Sequence, residues 1–256
     1  MTHSGTNSKT TKPISVLRPA AKVEELVESS FVEDLIVAAG HGVLNEDLAL
    51  AMLQRRDLPS RVLEALIRNH AVMKHRKVLL QVVQHPRTPR HISLPLLRRL
   101  FVFELMHVAL EPAVAADLKL LAEDVLIDKL ETLSFGECIN LARRASPAVA
   151  GALLLHGQRQ VIQAALQNPR MTEASIAKSL AKAEVSPLLL SMLVEHPKWS
   201  TRRELQLAIV RRSEATDAIV LKAASKLPKA AILEVIEHVR LPEPREQLLR
   251  TLLEEP

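Results

Sequence analysis

The feature that most constrains this chain is a recurring stop signal, in which a polar residue is followed by proline and then by a Ser or Thr. It occurs at 85–88 (HPRT), 168–172 (NPRMT) and 196–200 (HPKWS). Proline disfavours the α conformation in the residue before it, so a helix ends there. The side-chain oxygen of the Ser or Thr can then accept hydrogen bonds from the first free backbone N–H groups of the next helix. The signal therefore predicts short helices that end at His85, Asn168 and His196.

The segments between the stops have helical spacing of their apolar residues, as at Val62, Leu63, Leu66 and Ile67. Helices this short are not stable alone, so each must pack its apolar stripe on a neighbour. The chain is 48% apolar but has no Tyr, one Trp, four Phe and six Gly, whereas sheets favour aromatic and β-branched residues and Gly-rich turns. We predict an all-α fold without a β-sheet, an α-solenoid of stacked antiparallel helical hairpins. A compact helical bundle is the alternative.

Helix starts are predicted from two local patterns. In the capping box, a Ser or Thr and a Glu three residues later satisfy each other's backbone N–H groups, and this pattern fits Ser30–Glu33, Ser134–Glu137 and Thr201–Glu204. Proline is well tolerated at the first helical position, which is predicted for Pro89, Pro147 and Pro187.

A shift of 127 residues aligns two stretches of the chain, about 35–110 and 162–237, which a different segment, 111–161, joins. Turn signals and apolar positions recur together, with a one-residue slip that aligns Leu58-Pro59 with Ser186-Pro187. An internal duplication is therefore predicted. We expect a single domain over 19–256, a longer helix over 118–133 in the joining segment, and a disordered polar tail over 1–18.

The chain resembles bacterial HEAT-like and leucine-rich-repeat-variant proteins. The resemblance rests on HPRTPRHISLPLLRRL (85–100), NPRMTEASIAKSL (168–180) and HPKWSTRRELQLAIVRR (196–212), and it covers roughly residues 40–230. It implies an α-solenoid with a binding role and offers no catalytic residues to transfer. The chain departs from the pattern at Arg212-Ser213-Glu214, where the first copy has His85-Pro86-Arg87.

The residues that carry chemistry are arranged without a recognisable catalytic pattern. The ten His lack the i, i+4 spacing of a helical metal site and form no HExxH motif, and the six Gly form no nucleotide loop. Cys138 is the only cysteine, which excludes an internal disulfide and a cysteine-rich metal site. We predict a non-enzymatic protein with no cofactor and no metal, in which His85 and His196 cap turns.

Charge is distributed in blocks. Residues 50–100 hold eleven Lys or Arg and two acids, and residues 101–140 hold eight acids and two Lys. A basic surface can bind acidic partners, and we predict one on the concave face of the array. Its seven residues are Arg55, Arg56, Arg61, Arg68, Lys74, Arg76 and Lys77.

The predicted function is that of a protein-interaction scaffold whose unknown partner presents an acidic segment. In a homo-oligomer, the basic block would instead meet the acidic block of a second copy. The alternative is a nucleic-acid-binding protein that uses phosphate contacts, for which Trp199 is the one candidate stacking residue of the Trp or Tyr type. The polar N-terminus resembles no secretory signal and the apolar runs are too short for a membrane span, so a cytoplasmic location is expected.

Overall fold

The structure, a computed structural model, describes residues 22–239 and 242–254. Within these ranges the chain forms α-helices, one 3-10 turn and no β-strand, so the predicted all-α class is confirmed. The predicted tail, residues 1–18, lies outside the described residues. The chain divides into two compact units, the first ending at Ala122 and the second beginning at Glu123. The single domain over 19–256 stays a prediction.

The first unit is built from eight short helices and the beginning of a longer one that runs on into the second unit. These are α1 Val23–Val27, α2 Val32–Gly40, α3 Glu46–Leu53, α4 Ser60–Arg68, α5 His70–Met73, α6 Arg76–Gln84, α7 Arg90–Arg98, α8 Val102–Leu110 and the longer α9 Ala116–Lys129.

The second unit continues from α9 through a 3-10 turn, Leu130–Thr132, into nine more helices. These are α10 Phe135–Arg144, α11 Pro147–Leu153, α12 Arg159–Leu166, α13 Glu173–Leu180, α14 Pro187–Glu195, α15 Arg203–Val210, α16 Asp217–Ala224, α17 Lys229–His238 and α18 Glu243–Glu254. None of the described helices combines the length and the apolar character needed to cross a membrane.

The helix ends follow the proline signals closely. Helix α6 ends at Gln84 and α14 at Glu195, directly before His85 and His196, so these two predicted ends are confirmed. Helix α12 ends at Leu166, two residues before Asn168. The longer helix predicted over 118–133 is α9 followed by the 3-10 turn.

The helix starts agree with the predictions only in part. The Ser134–Glu137 capping box forms, because Ser134 N donates to Glu137 Oε2 (2.9 Å) and Glu137 N donates to Ser134 Oγ (3.4 Å). The box predicted at Ser30–Glu33 is wrong: α2 begins after Phe31, whose N–H donates to Ser29 Oγ (3.1 Å).

The box predicted at Thr201–Glu204 is also wrong. Helix α15 begins after Arg202 without a side-chain cap, and the Thr201 hydroxyl donates to Lys198 O (3.2 Å). Pro147 and Pro187 occupy first helical positions as predicted, whereas α7 begins at Arg90, one residue after Pro89.

In both units, a helix packs against an earlier helix that is not its immediate neighbour in the chain. In the second unit these contacts form the series α10–α12–α14–α16–α18 and α11–α13–α15, and in the first unit α1–α3–α6–α8 and α2–α4. Several consecutive helices also touch, for example α10 with α11 and α17 with α18. The core between them consists mainly of Leu, Val, Ala and Ile side chains.

Polar side chains near the turns bind the carbonyl end of the helix on which their own helix packs. Asn168, which is 1% exposed, follows α12 and shows the arrangement fully. Its Oδ1 accepts a hydrogen bond from Arg170 N (2.8 Å) in its own turn, and its Nδ2 donates to Ala142 O (2.9 Å) and Ala145 O (3.0 Å) at the end of α10. These carbonyls have no partner within their own helix, so the amide satisfies them. We call such a hydrogen bond a turn tie.

Further side chains form turn ties that reach back by about two helices. They join Arg55 to Ser29 O (2.7 Å), Asn69 to Ala39 O (3.0 Å), His85 to Arg55 O (2.9 Å), Trp199 to Leu166 O (3.0 Å), Arg212 to Ala183 O (3.0 Å), Lys226 to Val194 O (2.7 Å) and Arg245 to Ala215 O (2.7 Å).

The two units share one spacing of helices. Seven helices begin 127 residues after a counterpart in the first half of the chain: α12 after α2, α13 after α3, α14 after α4, α15 after α6, α16 after α7, α17 after α8 and α18 after α9. Because α4 and α14 begin at Ser60 and Pro187, the one-residue slip predicted at Pro59 is absent. The short α5 has no helical counterpart, and residues 197–201 form a turn in its place.

Candidate functional site

The seven basic residues predicted to form a binding surface divide into two groups. Arg55 and Arg76 are half-buried and hold parts of the first unit together, whereas the other five side chains are exposed. The exposed residues are Arg56, Arg61, Arg68, Lys74 and Lys77.

Arg55 is bound on both its side chain and its backbone. Its Nη1 donates to Ser29 O (2.7 Å) and more weakly to Val27 O (3.5 Å), while its own carbonyl binds His85 Nε2 (2.9 Å). Asp57 lies 4.0 Å from its Nε. The side chain thus links the ends of α1 and α3 and has a structural role in the first unit; its place in a binding surface stays a prediction.

Arg76 fixes the start of α8. Its Nε donates to Glu104 Oε1 (3.0 Å), its Nη2 contacts Oε2 of the same carboxylate, and Nη2 also donates to Arg99 O (3.2 Å). The guanidinium carbon lies 3.9 Å from the centre of the Phe101 ring. A bidentate pair with a carboxylate leaves little of the guanidinium for another anion, so Arg76 also belongs to the fold.

The five exposed cations lie on α4 and around the start of α6. Arg61 and Arg68 are seven residues apart on α4, which is about two helical turns, and they share the face opposite the buried Val62, Leu63 and Leu66. Lys74 precedes α6 and Lys77 is its second residue. None of the five forms an ion pair or a side-chain hydrogen bond with another described residue.

Part of the acidic block already neutralises the basic block within the first unit. Glu104 pairs with Arg76, and Asp117 pairs with Arg90 through contacts of 2.7 Å and 3.0 Å. The acidic residues from Glu104 to Glu137 are therefore not all available to a second copy of the chain.

The phenylalanines are solvent-accessible, a feature that the sequence analysis did not predict. Phe101, Phe103 and Phe135 are 65%, 38% and 44% exposed, and Phe31 is half-buried, so none of the four belongs to the core. Phe101 and Phe103 lie in the first unit, where the exposed cations also lie. The available signal was the pair Phe101 and Phe103 at a helix start, shortly after Arg98 and Arg99.

Trp199 is a core residue. It is 2% exposed, its Nε1 donates to Leu166 O (3.0 Å), and Lys198 Nζ lies 4.0 Å above its ring. The indole fills the turn after α14, so it offers no face on which a nucleic-acid base can stack.

Cys138 and the turn histidines have structural environments. Burial and the charge of Glu137 raise the pKa of the Cys138 thiol, which lowers its thiolate fraction and hence its reactivity. Nδ1 of His85 and of His196 each accept a backbone N–H two residues on, at 3.2 Å, which confirms their role in the turns. Burial and the nearby Lys198 lower the pKa of His196 and so favour this neutral, accepting form.

Among the residues that the structure describes, no three His, Cys, Asp or Glu side chains converge as metal ligands would. Comparison with models of known protein families, with curated proteins and with solved structures gave no match.

Proposed function

We propose that the chain is a non-catalytic protein-interaction scaffold that binds an acidic segment of a partner through the first unit. One observation carries this proposal: Arg56, Arg61, Arg68, Lys74 and Lys77 are exposed and have no carboxylate partner among the described residues. Because these cations form no ion pair with a described residue, they remain available to attract and orient a partner.

The proposed architecture of the scaffold is a HEAT-like α-solenoid with an internal duplication. Support comes from three observations: helices contact others about two positions apart, turn ties accompany those contacts, and helix starts recur after 127 residues. In a solenoid each unit contacts mainly its neighbours along the array, and this produces the first of these patterns.

A protein partner is favoured over nucleic acid by two exposed aromatic residues in the unit that carries the cations. Phe101 and Phe103 expose apolar rings, which suit the desolvated centre of a protein interface. Arg61 and Arg68, one above the other on α4, match acids spaced about two turns apart on a partner helix. Non-specific nucleic-acid binding stays the second candidate, because phosphate contacts require only exposed cations.

The test is charge reversal with a matched control. The variant Arg61→Glu/Arg68→Glu/Lys77→Glu removes three exposed cations from the first unit, and Arg143→Glu/Arg159→Glu/Arg211→Glu makes the same charge change at exposed sites of the second unit. We expect affinity pull-downs at low salt to lose specific partners with the first variant and to retain them with the control. Equal retention by both variants would contradict the proposal.

Binding to random duplex DNA separates the two candidates. If the chain is a protein-interaction scaffold, we expect its binding to random DNA to be weak and to disappear near physiological salt. A true nucleic-acid binder would give a linear log–log dependence on salt, with a slope that counts the neutralised phosphates. A steep slope together with micromolar affinity in the wild-type protein would favour the second candidate.

A further inference from the structure

The second unit contains a half-open cleft of about 860 Å³ between α9, α11 and α13. This volume falls within the range of small-ligand sites, roughly 300–1,000 Å³. Its floor is apolar and consists of five half-buried side chains: Ile127, Leu130, Ala148, Ala152 and Leu155. The floor presents an apolar surface to solvent that a ligand could cover.

One wall of the cleft carries two cations without a counterion. Lys178, on α13, and Lys182, just beyond its end, line the cleft and are exposed. Neither forms an ion pair with a described residue. Both ammonium groups line the same wall, so an anion in the cleft is attracted to both of them.

His156 adds an unsatisfied polar atom to the same cleft. It lines the cleft, and its Nδ1 is buried with no hydrogen-bond partner. Buried polar atoms in folded proteins nearly always have a partner. Because Nδ1 is closed to solvent, it is an unsatisfied group beside the cleft and does not itself contact a ligand there.

The first unit carries bulkier residues at the positions 127 residues earlier. Glu24 corresponds to Gly151, Leu48 to Ser175, and Met52, which is fully buried, to Ser179. A Cβ added to Gly151 would lie 3.2 Å from Ser179 Oγ and 3.3 Å from Ser175 O, so the small residues let α11 and α13 approach closely.

The cations also differ between the corresponding positions. Arg55 occupies the position of Lys182 but donates to Ser29 O (2.7 Å), and Ala51 occupies the position of Lys178. Among these corresponding residues, two unpaired cations occur together with Gly151, Ser175 and Ser179 only in the second unit.

We propose that this cleft is a binding site for a small amphipathic carboxylate. The apolar body of the ligand covers the floor, and its carboxylate lies between the ammonium groups of Lys178 and Lys182. Asp124 and Glu131 on the opposite wall repel the carboxylate and so impose this single orientation. The site is independent of the basic surface of the first unit.

Decanoate is a suitable probe, titrated into the full-length protein by isothermal calorimetry. We expect saturable binding with a Kd below about 1 mM, weakened at least about tenfold by Lys178→Glu/Lys182→Glu. Ala152→Phe, which fills the floor but keeps both lysines, should weaken binding similarly. Arg143→Glu/Arg159→Glu makes the same charge change as the double lysine variant at exposed residues outside the cleft, and it should bind decanoate as the wild type does.

Decyltrimethylammonium, which has the same chain with a cationic head, tests the sign of the charge. Equal affinity for the two amphiphiles, no saturable decanoate binding, or unchanged binding by the lysine variant would each overturn the proposal. Circular dichroism shows which variants are folded; should Ala152→Phe unfold, the lysine variant and the cationic amphiphile decide the question. Because these variants leave the five cations of the first unit intact, failure here is distinguishable from failure of the scaffold proposal.

Discussion

Arg55 and Arg56 are adjacent in the sequence but have different environments. Both lie in the turn after α3, and both belong to the block of positive charge that predicted a binding surface. Arg55 reaches the carbonyl end of α1, whereas Arg56 is exposed and has no bonded partner among the described residues. The difference depends on the carbonyl groups at Val27 and Ser29, which no local sequence pattern places beside Arg55.

Substitution of the two arginines measures this difference. Arg55→Glu should lower the free energy of unfolding by about 1–3 kcal/mol, because hydrogen bonds to a charged group are lost and a carboxylate is placed against carbonyl oxygens. Arg56→Glu should change it by less than about 0.5 kcal/mol, as is usual for surface substitutions. Urea denaturation gives both values; equal values for the two variants would show that the bond from Arg55 to Ser29 contributes nothing to stability.

At the scale of the helices, local sequence patterns predicted the ends of helices more accurately than their starts. At His85 and His196, the proline that follows disfavours the helical conformation, and this effect does not depend on contacts with the rest of the chain. At the start of α2 no side chain caps the first turn, and Ser29 rather than Ser30 forms the local hydrogen bonds: its Oγ accepts from Phe31 N (3.1 Å) and donates to Asp34 (2.7 Å). Such a choice depends on packing, which a pattern of four residues does not contain.

For the turn residues, the sequence predicted the partner within the turn but not the partner on the earlier helix. Proline marked Asn168 and the two histidines as turn residues, and their bonds within the turn follow from that position. The second partners of His85 and Asn168 lie 23 to 30 residues earlier in the chain and depend on which helices pack together. Phe101 and Arg76 are a similar case, because their contact joins α8 to a residue 25 positions away in sequence.

Asn168 provides the sharpest test of a turn tie. Asn168→Asp keeps the shape and the oxygen that accepts Arg170 N but replaces the donor to Ala142 O and Ala145 O with an acceptor. We expect a loss of at least about 2 kcal/mol in the free energy of unfolding, because a buried acceptor then faces two carbonyls. Asn140→Asp, at an exposed position of α10, is the matched control and should have little effect; a similar effect of both changes would refute the tie.

At the scale of the whole molecule, the series of helix contacts predicts that the second unit can fold without the first. A fragment of residues 116–256 keeps α9 to α18 and every contact in the series α10–α12–α14–α16–α18. We expect a helical circular dichroism spectrum and a cooperative thermal transition. A fragment of residues 159–256, which lacks the partners of α12 and α13, should melt at a lower temperature. Absence of a transition in the longer fragment would mean that its helices require the first unit.

The turn ties have a consequence for how the length of such a chain can change. Each tie joins a turn to a carbonyl about two helices back, and Arg55 and Arg212 contribute both a donor and a backbone carbonyl to successive ties. Inserting or deleting one residue within a helix would rotate the donor by about 100° and break the ties on both sides of it. A side chain on an exposed face can be exchanged without such a cost. Corresponding helices can therefore keep the same spacing, as α3 and α13 do, while residues as different as Met52 and Ser179 occupy the same position within them.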